Sequence, residues 1–217
     1  MFCLDFFNTT ADFLLINAKY PLQFTSGNYN RWIFPCKSLA GLDSGRTGLA
    51  YCFEKGRLQE VEEILNLQVN PDKYRAKASW NSGKKDLDEV NLALRNHYRL
   101  RLGEFSLMAY YLFFIYTVGF NESQATDILW EKDFEAVKSK QKLRRIKARA
   151  GNKEGEFEIQ SKFISYFRKF LMIRSYLFGN NQCEYLFFSL DQHHDPYISY
   201  PKLNFMLVTL GLGGDSS

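Results

Sequence analysis

The sequence predicts a mainly α-helical fold with a small antiparallel β-sheet, an α+β class, on three observations. Residues 161–177 place Phe163, Tyr166, Phe167, Phe170, Leu171, Ile173 and Leu177 on a broad apolar stripe at helical spacing, with Lys162, Arg168, Lys169 and Arg174 around its edges. A stretch from Leu102 or Glu104 to Val118 is apolar almost all round, as a helix at the centre of a core would be. Residues 144–150 and 156–160 read as two strands joined by Gly151-Asn152-Lys153-Glu154-Gly155, where glycines at both ends permit positive φ.

A chain of 217 residues suits one large domain or two small ones, and its 46% hydrophobic content is that of ordinary globular material. Aromatics reach 17%, which favours a substantial core of packed rings. Along the chain, Asn8-Thr9-Thr10-Ala11-Asp12 offers caps for a helix beginning near Phe13, and Pro21, Gly27 and Pro35 break any long element after it. Residues 38–48 carry three glycines and read as a loop. Leu58, Val61, Ile64 and Leu65 fall at helical spacing, so 48–67 is expected to be mostly one amphipathic helix, stopped by Asn70-Pro71-Asp72. Residues 74–85 are polar and basic, with Trp80 as anchor and Asn81-Ser82-Gly83 as a turn signal, and are expected to link two domains, 1–80 and 81–217. A second helix is expected from Asp86 to about His97 on Leu87, Val90 and Leu94. Gly119 reads as a C-terminal cap, after which Asn121 or Ser123 caps a short helix reaching Leu129. Residues 134–142 read as an extended arm, 184–189 as a short strand or buried segment, and the tail from Asp191 as loop, with disorder from Gly211.

Charge is uneven. Net charge is +4, yet the window 136–153 holds eight basic residues and no acidic one. Without Lys138, Lys140, Lys142, Arg144, Arg145, Lys147, Arg149 and Lys153, 20 basic residues face 24 acidic ones. The positive field is therefore local, which suits a polyanion. Alternation places Arg145, Lys147 and Arg149 on one face of the first strand. Cys3, Cys36, Cys52 and Cys183 share no C-x-x-C spacing, so neither a zinc site nor a redox motif is signalled, and reduced thiols in a cytoplasm are expected. The start lacks a secretory pattern, and the uncharged run 105–120 is short for a membrane span. His193-His194-Asp195 does not have zinc-site spacing, His97 reads as a cap or surface residue, and no metal or cofactor is expected.

The order of features over 86–188 resembles the catalytic domain of the tyrosine recombinases, the phage-integrase family. A helix, then Thr117-Val118-Gly119-Phe120-Asn121-Glu122-Ser123, a short helix ending in Leu129-Trp130, a basic hairpin and an amphipathic helix come in the same order there. The family's pattern at the break is T-G-x-R-x-S-E-L-L-x-L-x-W. Counting back from Trp130 sets Asn121 at its catalytic arginine, Ser123 at its serine and Gln124 at its glutamate. The family's catalytic lysine falls near Ala150, leaving Lys153 or Lys147 as substitutes. No H-x-x-R box is present, and Tyr197 and Tyr200 come too early for the nucleophile, so the resemblance implies a catalytic domain incomplete at its C-terminus.

The resemblance implies a DNA-binding protein of the site-specific recombination and integration class. It implies an N-terminal region that helps clamp DNA, and other recombinase protomers as partners. Arg144, Arg145, Lys147, Arg149 and Lys153 become the candidate contacts to the phosphate backbone of double-stranded DNA. Catalytic residues are not assigned, because Asn121 brings no charge where a guanidinium is required. The alternative is a non-catalytic protein-interaction module whose basic hairpin is solvated.

Overall fold

The computed structural model describes residues 2–35, 51–52, 54–66, 73–120, 122–126, 128–130, 142–148, 153–158, 163–179, 183–190 and 196–197. In chain order they form α1 (Phe2–Leu15), β1 (Leu22–Ser26), β2 (Tyr29–Ile33), β3 (Tyr51–Cys52), β4 (Arg57–Leu58), α2 (Val61–Asn66), α3 (Lys73–Leu92), α4 (His97–Val118), α5 (Glu122–Thr126), β5 (Lys142–Ala148), β6 (Lys153–Glu158), α6 (Ile164–Phe178), β7 (Ser189–Leu190) and β8 (Pro196–Tyr197). Helices dominate, and the described strands pair as antiparallel two-stranded ribbons, β1 with β2, β3 with β4, β5 with β6 and β7 with β8. The class is α+β as expected, with several small ribbons in place of one small sheet.

The chain divides into two units, Met1–Leu15 with Gly103–Lys202, and Ile16–Leu102 with Leu203–Ser217. In the first unit α1 buries Phe6, Phe7, Thr10, Ala11, Phe13 and Leu14, a recurrence of three and four residues that makes one apolar face. That period runs straight through Asn8–Asp12, which corrects the expected cap. Thr10 lies within the helix and turns its hydroxyl back to the carbonyls of Phe6 (2.7 Å) and Phe7 (3.2 Å). Lys169 on α6 bonds Asp12 at 2.7 Å and Asn8 at 3.3 Å, latching α1 to α6. Above this, Tyr110 of α4 stacks on Phe170 with ring centroids 4.5 Å apart, and Phe7 meets Tyr110 at 4.8 Å. Phe187 closes the cluster against Phe170 (5.2 Å), Tyr111 (4.9 Å) and Phe114 (5.2 Å). Gly103 permits close approach, since a Cβ there would lie 2.8 Å from Leu177 Cδ2.

In the second unit the expected helix over 48–67 gives way to a β3–β4 ribbon turning at Gly56, whose φ is +62°, followed by the short α2. A positive φ cannot continue a right-handed helix. Glu63 then accepts the Glu60 backbone N–H (2.8 Å), the reciprocal half of a capping box, together with Arg57 Nη1 at 2.9 Å. The Arg57 hydrogen bond is the main cause holding its carboxyl well below the usual range, with Lys55 adding to it. Residues 74–85, expected as a linker, lie inside the continuous helix α3. Ala76 and Ala78 are strong helix formers, and Asn81-Ser82-Gly83 is carried through without a break. The expected helix from Asp86 to His97 is corrected too. α3 ends at Leu92, and Asn96 caps α4 by accepting the Arg99 N–H at 3.0 Å while donating to the Val90 carbonyl at 3.2 Å. Arg99, fully buried, ties the Ala18 carbonyl (2.7 Å) to that of Val90 (3.3 Å).

The ring cluster generates a stability prediction. Phe170 is fully buried and touches three other rings, so Phe170→Ala should lower the unfolding free energy by about 3–5 kcal/mol, read from the urea midpoint at unchanged m.

Candidate nucleic-acid interface

The site region begins where α4 ends. Gly119 takes φ +76° and its N–H bonds the Ile115 carbonyl at 2.9 Å, the glycine cap expected from sequence. The chain then turns into α5, shorter than expected because it closes at Thr126 rather than near Leu129. The turn is fixed at the Glu122 carbonyl, which accepts the Tyr111 hydroxyl (3.1 Å) and the Thr126 hydroxyl (3.1 Å). Ala125 and Ile128 seal α5 into the core.

Leaving α5, the chain pairs at once with the stretch 184–189, expected as a short strand or buried segment and buried from Leu186 on. Leu129 bridges Tyr185, Trp130 N–H donates to the Glu184 carbonyl at 2.6 Å, and Leu186 N–H donates to the Ile128 carbonyl at 2.8 Å. Beneath this pairing lies Arg174. It was expected at the edge of the α6 stripe and is buried instead, with 8% of its surface exposed. Its Nη2 donates to the carbonyls of Cys183 and Tyr185, both at 2.8 Å, and its Nε to that of Leu186 at 3.3 Å. The guanidinium also lies over the rings of Phe178 (4.3 Å) and Trp130 (5.2 Å). Sequence reading missed this residue, although the signal existed. Arg174 lies seven residues after Phe167, four after Phe170 and three before Leu177, inside the stripe rather than beside it.

The basic hairpin forms as β5 and β6, and α5 packs against β5. The helix break and the basic strand thus lie against each other. Arg144, Arg145 and Lys147 lie on β5, and Lys153 begins β6 opposite Ala148 instead of lying in the turn. Ser123 and Gln124 lie on α5. Arg149, Asn121, the arm 134–141 and His193-His194-Asp195 fall outside the described residues.

The register adds what composition could not. Leu143 pairs with Phe157 but Ile146 with Gly155, so β5 carries one extra residue where Arg144 and Arg145 together face Glu156. The simple alternation expected for the charges is therefore broken at this bulge. Lys142 pairs with Glu158 and Lys147 with Glu154, setting opposite charges at facing positions. Four basic residues of β5 and one of β6 stand against three glutamates of β6, leaving the ribbon at +2.

Among the described residues, no group of three or more His, Cys, Asp or Glu could hold a metal ion, and no helix is long and apolar enough to cross a membrane.

Two substitutions probe this architecture. Gly119→Ala forces a side chain into a left-handed conformation and should cost about 1 kcal/mol, with no steric clash to add to it. Arg174→Leu keeps the apolar contact but strips donors from the carbonyls of Cys183, Tyr185 and Leu186. It should cost about 3 kcal/mol or more in chemical denaturation, with Arg174→Lys intermediate. No protein-family model matches the chain, and neither a curated protein nor a solved structure matches it.

Proposed function

We propose that this chain binds double-stranded DNA through the phosphate backbone, as a degenerate relative of the tyrosine recombinases that does not cut strands by itself. The observation that supports the reading best is the packing of α5 against β5. It brings the break after Gly119 to the basic strand within one unit. Strand cleavage of the tyrosine type needs a phenolate to attack phosphorus, two guanidiniums to hold the non-bridging oxygens and a lysine to protonate the leaving oxygen. At the first guanidinium position stands Asn121, which donates neutral hydrogen bonds only. A missing donor to a crowded anionic transition state costs about 10²–10³ in rate, and without a nucleophile no covalent intermediate forms. Phosphate contacts by Arg144, Arg145, Lys147, Arg149 and Lys153 require none of this chemistry. They position a protein on a duplex without reading its sequence.

A second reading, a protein-interaction module with a solvated hairpin, is favoured by the register. Lys142 and Lys147 each face a glutamate, which offsets part of the charge offered to a phosphate.

Titration of a labelled duplex separates the two readings. DNA binding predicts an affinity that falls steeply with salt, and a shallower slope, by about one for each lost phosphate contact, after Arg145→Ala, Lys147→Ala and Arg149→Ala together. An unchanged affinity and slope in that variant would sink the hairpin assignment. Incubation with supercoiled DNA should leave no covalent protein–DNA adduct after denaturation; an adduct would overturn the loss of cleavage.

A further inference from the structure

A second basic surface lies on α3. Its first thirteen residues carry Lys73, Arg75, Lys77, Lys84 and Lys85 and no acid, whereas Asp86, Asp88 and Glu89 crowd its last two turns. That order opposes the helix macrodipole, which favours acids in the first turn and bases in the last. α3 has neither: its first turn holds no acidic residue and its last no basic one. Lys84 and Lys85 each have an acid four residues on, Asp88 and Glu89, in the weaker base-before-acid order, and Lys73, Arg75 and Lys77 have none three or four residues on. Charges kept in the costlier order point to a role outside the helix.

The geometry suits a polyanion. Lys77, Lys84 and Lys85 are exposed, while Leu87 and Val90 are buried. Positions 77 and 84 lie about 20° apart around the helix and about 10.5 Å apart along it, and position 73 extends the row by one turn. Rows of cations on a rigid rod suit a polymer of regularly spaced anions better than a single small anion. We propose that the basic half of α3 contacts the phosphate backbone of duplex DNA, independently of the β5–β6 hairpin. The identity of the polyanion rests on the DNA-binding reading; the existence of the surface does not.

The test uses the full chain and fluorescence anisotropy of a short labelled duplex between about 50 and 200 mM salt. Lys77→Gln, Lys84→Gln and Lys85→Gln together should weaken binding tenfold or more at the lower salt and cut the log–log salt slope by about two to three. The three Lys→Arg changes should leave both unaltered. A variant with Lys73→Glu and Arg75→Glu carries a sharper signature. Its thermal midpoint should rise, because the new charges suit the dipole, while its DNA affinity falls. A purely structural role would move both in the same direction. If the hairpin variant binds normally and the α3 variant does not, the α3 surface stands and the hairpin reading falls. If the α3 variants bind with unchanged affinity and slope, the α3 proposal is overturned while DNA binding stands. Absence of salt-dependent binding by the parent chain, or binding of polyglutamate as tightly as of duplex at equal charge, overturns both.

Discussion

The guanidinium of Arg174 is the point on which the first unit turns. A buried charged side chain is tolerated only when its donors are used and its charge is spread. Arg174 meets both conditions by bonding a run of carbonyls that β-pairing leaves open and by lying against aromatic faces. The segment it holds is the one that Ile128, Leu129 and Trp130 pair with on leaving α5. The path runs from α6 through one side chain to the segment 183–186, then to the exit of α5, and α5 lies against β5. The hairpin's footing therefore depends on polar geometry set by a helix that contributes no candidate DNA contact.

The features legible in sequence were those governed by one local rule. The α6 stripe, the Gly119 cap and the existence of the hairpin each stem from periodicity or from the backbone freedom of glycine. Where two local rules competed, the sequence misled. Asn8-Thr9-Thr10 are good caps, but the apolar repeat spanning them buries more surface than a cap stabilises. Leu58 to Leu65 keep helical spacing, yet Gly56 reverses the chain just before them. In α3 the hydrophobic pattern is sparse, so reading by periodicity found a linker where intrinsic propensity made a helix.

The candidate site was legible as composition and not as register. A window of eight basic residues is visible in the chain. Which charges face them across the ribbon is decided by where pairing starts and where the bulge falls, and both depend on backbone geometry. The partnering of Arg174 was hidden for a different reason. Its position within the stripe is visible, but the carbonyls that accept from it are presented by a segment with no periodic signature.

The latch between Lys169 and α1 has a consequence for the order of synthesis. Asn8 and Lys169, which it joins, stand 161 residues apart. An emerging chain presents α1 with Phe6, Phe7, Phe13 and Leu14 long before α6 exists to cover them. At translation rates of about 5–20 residues per second that interval is on the order of ten seconds, ample time for an aromatic helix to find wrong partners. The opening segment thus calls for shielding during synthesis, by a chaperone or by provisional contacts within the nascent chain.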